Sequence, residues 1–287
     1  MINIKSLVSK NFNFFLSALI ISLMLSSCAT LSHVDKAQEQ FNKGAEIDNL
    51  EFFDQANSNA IPPLPADYFY KAAIAETEKA LKNKAKLKKL EVYVNTLTLK
   101  SLSQWKLEKY QAADETAKEA LTYMKEEKMT VEDFPRDFGV LKSMSALIGI
   151  EEMNKIQESY FKQDNITSEN AKSQYNQIVY KEAKKPRNLE KDLEDLNNVS
   201  SQISADHEIQ SYLSMSKLSA LKVWSDALDA TKQKMKDNGD FRDHKEWHTS
   251  EKEALNPKIT DGLNALKNQV GANNDTYKFW KSIFPNN

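Results

Sequence analysis

Along most of this chain, apolar residues recur at helical rather than strand spacing. Val34, Ala37, Phe41 and Ala45 fall one turn apart and predict an amphipathic helix from Val34 to about Leu50. Leu97, Leu99, Leu102, Trp105 and Leu107 predict another helix, ahead of a helical stretch at 110–121. Beyond residue 128 helical patterns run at about 136–162, 167–184, 187–204, 206–237, 243–254, 257–270 and 273–283. Expected breaks fall at Pro186, Asn238-Gly239, Asn256-Pro257 and Gly271, because proline lacks the amide proton and glycine gives up the most backbone freedom. The clearest loop is Asn57 to Pro65, with three prolines in its last four positions. Thr130-Val131-Glu132-Asp133 reads as a capped turn before Pro135. A local alternative is a strand over Glu91–Leu99, rich in β-branched residues, although a single strand would have nothing to pair with.

Composition supports helices. The 287 residues include only 6 glycines and 7 prolines, and Ala, Leu, Lys, Glu and Gln dominate. These side chains lose little rotamer freedom in a helix. A β-rich domain would need turn residues every 8–12 positions or so. The expected class is all-α.

Residues 70–81 read YKAAIAETEKAL and residues 110–121 read YQAADETAKEAL. Offset by 40, Tyr70/Tyr110, Ala72/Ala112, Ala73/Ala113, Ala80/Ala120 and Leu81/Leu121 are identical. An internal repeat of this length marks stacked supersecondary units. The pattern of an aromatic, a small residue three on, then Ala-Leu seven beyond that resembles the second helix of a tetratricopeptide repeat (TPR). Phe41, Lys43 and Gly44 resemble the end of the helix before the first copy. The resemblance covers about residues 34–128, with a period of 40 where the family uses 34. It implies stacked antiparallel helical hairpins, a TPR-like solenoid, followed by further C-terminal helices over 129–287. Tyr70, Ala73, Ala80, Leu81 and their counterparts Tyr110, Ala113, Ala120 and Leu121 are the expected packing positions between helices. The role implied is a protein–protein interaction scaffold.

The N-terminus carries Lys5 and Lys10, then a mostly apolar run from Phe12 to Leu25. Positive charge ahead of a short apolar core is the layout of a secretory signal. The run is shorter than the roughly 20 residues a spanning helix needs. It ends Leu25-Ser26-Ser27-Cys28, which resembles the bacterial lipobox, and Cys28 is the only cysteine. A single thiol excludes an internal disulfide framework. The resemblance implies recognition of Leu25, Ser26 and Ser27 by the signal peptidase, cleavage after residue 27, and a diacylglycerol plus an N-acyl chain on Cys28. Residues 28–33 then form the lipidated tether. Two or more acyl chains anchor a protein stably. Ser-Ser-Cys-Ala-Thr at 26–30 resembles Bacteroidetes lipoproteins. Ala29 in place of aspartate implies the outer membrane, and the absence of an acidic cluster after Cys28 implies its periplasmic face. No other cofactor is expected.

Loss of residues 1–27 leaves 260 residues and removes two lysines and no acid, taking the formal charge from −2 to −4. That balance gives no electrostatic case for nucleic acid. The candidate metal ligands are His244 and His248, one helical turn apart, with His207 or Asp206 as a third. The zinc-protease pattern needs glutamate after the first histidine, and Lys245 stands there. The carboxylates Glu151-Glu152, Glu190, Asp192 and Glu194-Asp195 read as a solvated helix surface. No glycine-rich phosphate loop or nucleophile turn is present, so no enzyme activity is expected. Six lysines between Lys79 and Lys89 read as a solvated hairpin turn, or as a surface for acidic headgroups or an acidic partner. The expected function is a non-enzymatic, membrane-anchored scaffold in the cell envelope, in assembly or secretion, gripping a protein or peptide partner. The alternatives are a periplasmic enzyme or metal protein centred on His244 and His248, and a carrier holding a small ligand in a closed apolar cavity between C-terminal helices.

Overall fold

The computed structural model describes residues 29–48, 64–180 and 187–285. Among them the regular secondary structure is helical throughout, with no strand. The signal, Leu25 to Cys28, and most of the proline-rich loop lie outside the described residues. The chain divides into two compact units, the first ending at Tyr123 and the second starting at Met124.

In the first unit α1 covers 29–48, α2 Ala66–Leu81, α3 Lys84–Lys89, α4 Tyr93–Lys106 and α5 Tyr110–Glu126, the last carrying the unit boundary near its end. Helix α1 already includes the five residues before Val34. It buries Thr30, Val34, Ala37 and Gly44 along one stripe. α1 and α2 run antiparallel: His33 near the start of α1 bonds Glu76 near the end of α2 at 2.6 Å, and Asp48 accepts from Tyr70 Oη at 2.6 Å. α4 and α5 pair in the same way, Tyr93 reaching Glu119 (2.7 Å) and Ser101 reaching the Ala113 carbonyl (2.8 Å). α2 packs on α4. The segment 91–99 is mostly helix from Tyr93 on, not a strand. Val94, Leu97 and the threonines face a helical core, and Thr96 and Thr98 return their hydroxyls to the carbonyls four residues back.

The second unit contains α6 (Pro135–Phe161), α7 (Ser168–Val179), α8 (Leu189–Ser201), α9 (Ile209–Asp237), a 3₁₀ turn (Phe241–His244), α10 (Lys245–Val270) and α11 (Asp275–Ile283). α9 touches α6, α7, α8 and α10 and buries Leu213, Leu218, Trp224 and Ala227. Leu213 and Leu218 each contribute about 1.5–3 kcal/mol on burial. Thr130 and Asp133 cap each other's backbone before Pro135, which occupies the first turn of α6.

The break expected at Asn256-Pro257 does not occur. α10 runs through Pro257. The lost backbone bond is outweighed by the packing of Leu255, Ile259, Leu263 and Leu266, all buried on both sides of the proline, in a helix that lies along α9.

The α4–α5 seam tolerates no extra volume, because Ala113 is fully buried and its carbonyl already accepts from Ser101. Ala113→Leu should lower stability by about 1–3 kcal/mol in thermal unfolding, whereas Gln111→Leu on the exposed side of the same helix should stay within about 0.5 kcal/mol of the parent.

Candidate functional site

The repeat residues occupy matching places in the two helix pairs. Ala73 and Ala80 on α2, and Ala113 and Ala120 on α5, are fully buried. Thr77 and Ala117 fill the position between them and are buried too, a correspondence that identity alone hides. Tyr70 is buried, whereas Tyr110, Leu81 and Leu121 are half-buried. Tyr70 lies so close to α1 that a Cβ on Gly44 would come within 2.8 Å of its ring. Its hydroxyl and the Lys106 ammonium both end on Asp48 at 2.6 Å, joining α1, α2 and α4 at one carboxylate. Nothing in the spacing of Asp48 announces that role.

The lysine run forms the α2–α3–α4 turn. Lys79 pairs with Glu76 (2.6 Å) and Lys84 with Glu119 (2.8 Å). Lys88 lies over the rings of Tyr93 and Tyr123, 5.4 and 4.3 Å from their centroids. The Lys84 hydrogen bond, followed by that from Tyr93, holds Glu119 below its usual range.

In the second unit the two candidate histidines turn to different partners. His244 closes the 3₁₀ turn, 3.7 Å from Asp240 and 4.0 Å from Glu169. His248 is buried, set edge-on to Phe241, and its Nε2 has no partner among the described residues. Burial, with Lys232 adding to it, lowers the His248 pKa and keeps the ring neutral at pH 7. His207 accepts from the Ile209 amide and Asp206 from Ser204, so both act within their own turn. Among the described residues no three His, Cys, Asp or Glu side chains are arranged to hold a metal ion.

His248 lines a cleft of about 260 Å³ between α9, α10 and the end of α11. Leu228, Leu255, Ile259 and Phe284 form its apolar wall, and the exposed Asp229 and Lys252 stand at its edge. A lone neutral imidazole beside an apolar wall offers one hydrogen bond to a small guest. Ser225 and Asn256 add further polar groups to the lining, beside Asp229 and Lys252 at the edge.

Two further polar clusters lie elsewhere in this unit. Tyr175 and Tyr180 both donate to Glu251 Oε2, and Trp224 Nε1 donates to Tyr175 Oη at 2.8 Å. Trp247 stacks edge-on to Tyr175 at 5.2 Å. Burial raises both tyrosine pKa values, so the hydroxyls remain donors that bind α7 to α9 and α10. Asp192, read from the sequence as a surface carboxylate, is instead buried against α6. A Cβ on Gly149 would come within 2.7 Å of its Cγ. Its Oδ2 and the Asn188 Nδ2 have no partner among the described residues. Burial pushes the Asp192 pKa up to about 7, against the pull of Arg187 and Lys191 and with the push of Asp195 and Glu152. Gly149 on α6 was the one available sign, since a missing side chain leaves room for a neighbour.

The unfolded chain loses the Asp192 proton near the ordinary value of 3.8, whereas the folded chain keeps it to about 7. Between those values the folded state binds more protons, so stability falls as pH rises through this window, by at most about 4 kcal/mol. Asp192→Asn, which cannot ionise, should remove that slope; denaturant midpoints of parent and variant should diverge as pH rises from about 4 to about 7 and run parallel above it. Parallel midpoints throughout would show that Asp192 ionises as freely as in the unfolded chain. Neither a family model, nor a curated protein, nor a solved structure matches the chain.

Proposed function

We propose that this protein is a lipid-anchored component of a bacterial envelope and that its first unit is a pair of TPR-like hairpins serving as a docking scaffold for another envelope protein. The observation that carries the reading is the equivalence of the two helix pairs. Positions 73, 77 and 80 on α2 and 113, 117 and 120 on α5 are all buried and all small. Small residues let helices approach closely, and repeated hairpins of this kind present exposed helix faces with no need of catalytic groups. The lipobox resemblance at Leu25–Cys28 supports the anchor.

A second reading, a small-ligand carrier, draws support from the His248 cleft. That cleft is apolar on one side and holds one unpartnered buried nitrogen. Its rim carries Asp229 and Lys252, so it is not the closed apolar cavity expected for a carrier. Catalysis by His244 and His248 together has no comparable support, since the two rings face different groups.

The scaffold reading makes two measurable demands. Intact mass of the purified protein should show residues 1–27 removed and acyl chains on Cys28. A photo-crosslinker placed at Asn95 or Leu102 of α4 in living cells should trap one discrete protein adduct. Failure to trap any adduct, under conditions that capture known envelope complexes, overturns the scaffold and leaves the cleft as the better guide to function.

A further inference from the structure

The lysine-rich turn and Ala29, the residue that follows the proposed anchor point in the chain, lie at the same end of the first unit. His33 and Glu76 meet at 2.6 Å on antiparallel helices. From that contact, four residues back along α1 reach Ala29, about 6 Å along the axis at 1.5 Å per residue. Six residues on past Glu76 reach Lys82, about 9 Å in the same direction. Cys28 is the residue covalently joined to Ala29. Ala29, the residue next to the proposed lipid attachment point, and the α2–α3 turn therefore stand nearly level.

Residues 79–91 carry six lysines and a single acid, Glu91. Lys79 and Lys84 are neutralised by Glu76 and Glu119, and Lys88 rests on two tyrosine rings. Lys82, Lys86 and Lys89 make no ion pair among the described residues, and Lys82 and Lys89 are exposed. Asn83 caps α3 by accepting from the Lys86 amide at 3.3 Å, which holds the run as a defined turn rather than a loose loop.

We propose that this basic turn is a membrane-facing surface: with the acyl chains of Cys28 in the bilayer, Lys82, Lys86 and Lys89 meet anionic lipid headgroups and set the orientation of the first unit. The inference rests on the lipid-anchor reading. Acyl chains alone tether the protein but leave it free to tilt, whereas a cationic patch beside them adds an attraction to an anionic surface that salt screens.

The test uses the full chain, purified from membranes with its acyl chains and reconstituted into vesicles of phosphatidylcholine alone or of phosphatidylcholine with phosphatidylglycerol. Labelling of single lysines by an amine-reactive reagent is read by mass spectrometry. Lys82, Lys86 and Lys89 should label roughly five-fold more slowly on the anionic vesicles, and high salt should erase the difference. Lys71, exposed at the other end of α2, should label equally on both. In the Lys82→Glu/Lys89→Glu variant, both changes being at exposed positions, Lys86 should lose its protection. Equal labelling on both vesicles, with acyl chains present on Cys28, overturns the headgroup contact and leaves the anchor standing. A bare Cys28 removes both. Protection seen in native envelope membranes but not on vesicles assigns the turn to an acidic protein instead of lipid and likewise overturns the proposal.

Discussion

The close approach of helices at residues with little or no side chain is the constraint on which both units depend. In the first unit Gly44 admits the Tyr70 ring against α1, and Ala73, Ala80, Ala113, Ala117 and Ala120 vanish into seams. In the second, Gly139 lies under Ile209 and Ile203, Gly149 under Asp192, and Gly262 under Leu218. Packed interiors leave few voids, so where two backbones come together the side chains between them must be small. The large residues that do the burying, such as Leu213, Leu218 and Trp224, then fill the space beside those seams.

Shared carboxylates join the helices of the first unit near its ends, while Ser101 bonds across the α4–α5 seam. Asp48 collects Tyr70 and Lys106 at one end, and Glu76 collects His33 and Lys79 at the other. Each carboxylate serves two donors from different positions, which fixes the register of α1 against α2 more tightly than apolar burial can. Half-exposed ion pairs add little stability by themselves. Their value here is geometric: they hold the start of α1 beside the lysine turn, the arrangement from which the proposed membrane contact follows.

The second unit holds its unusual chemistry as isolated buried groups. Asp192 and His248 each lose the charged form to burial, one by keeping a proton and the other by refusing it. They lie in different places, Asp192 against α6 and His248 in the cleft between α9 and α10. The Tyr175–Tyr180–Glu251–Trp224 cluster is by contrast internally satisfied, each hydroxyl and the indole having an acceptor. Such a network ties helices together.

Helical class, the 40-residue repeat and most helix positions were legible in the linear pattern, because helix periodicity and poverty in glycine are local properties that each segment carries alone. Helix ends were less so. Glu91, Glu108 and Lys128 adopt left-handed conformations, and the residues after them bond back to Leu87, Gln104 and Met124. Glycine normally marks such an end, and a side chain there costs about 1 kcal/mol, so no residue type announced these three. Pro257 announced an end that packing along α9 overrode. The repeat alanines could be named from sequence, since identity at a fixed offset singles them out. The burial of Asp192, the sharing of Asp48 and the separate facing of His244 and His248 arose only from tertiary structure. Each depends on which helix lies opposite, and spacing along one helix carries no record of its neighbour.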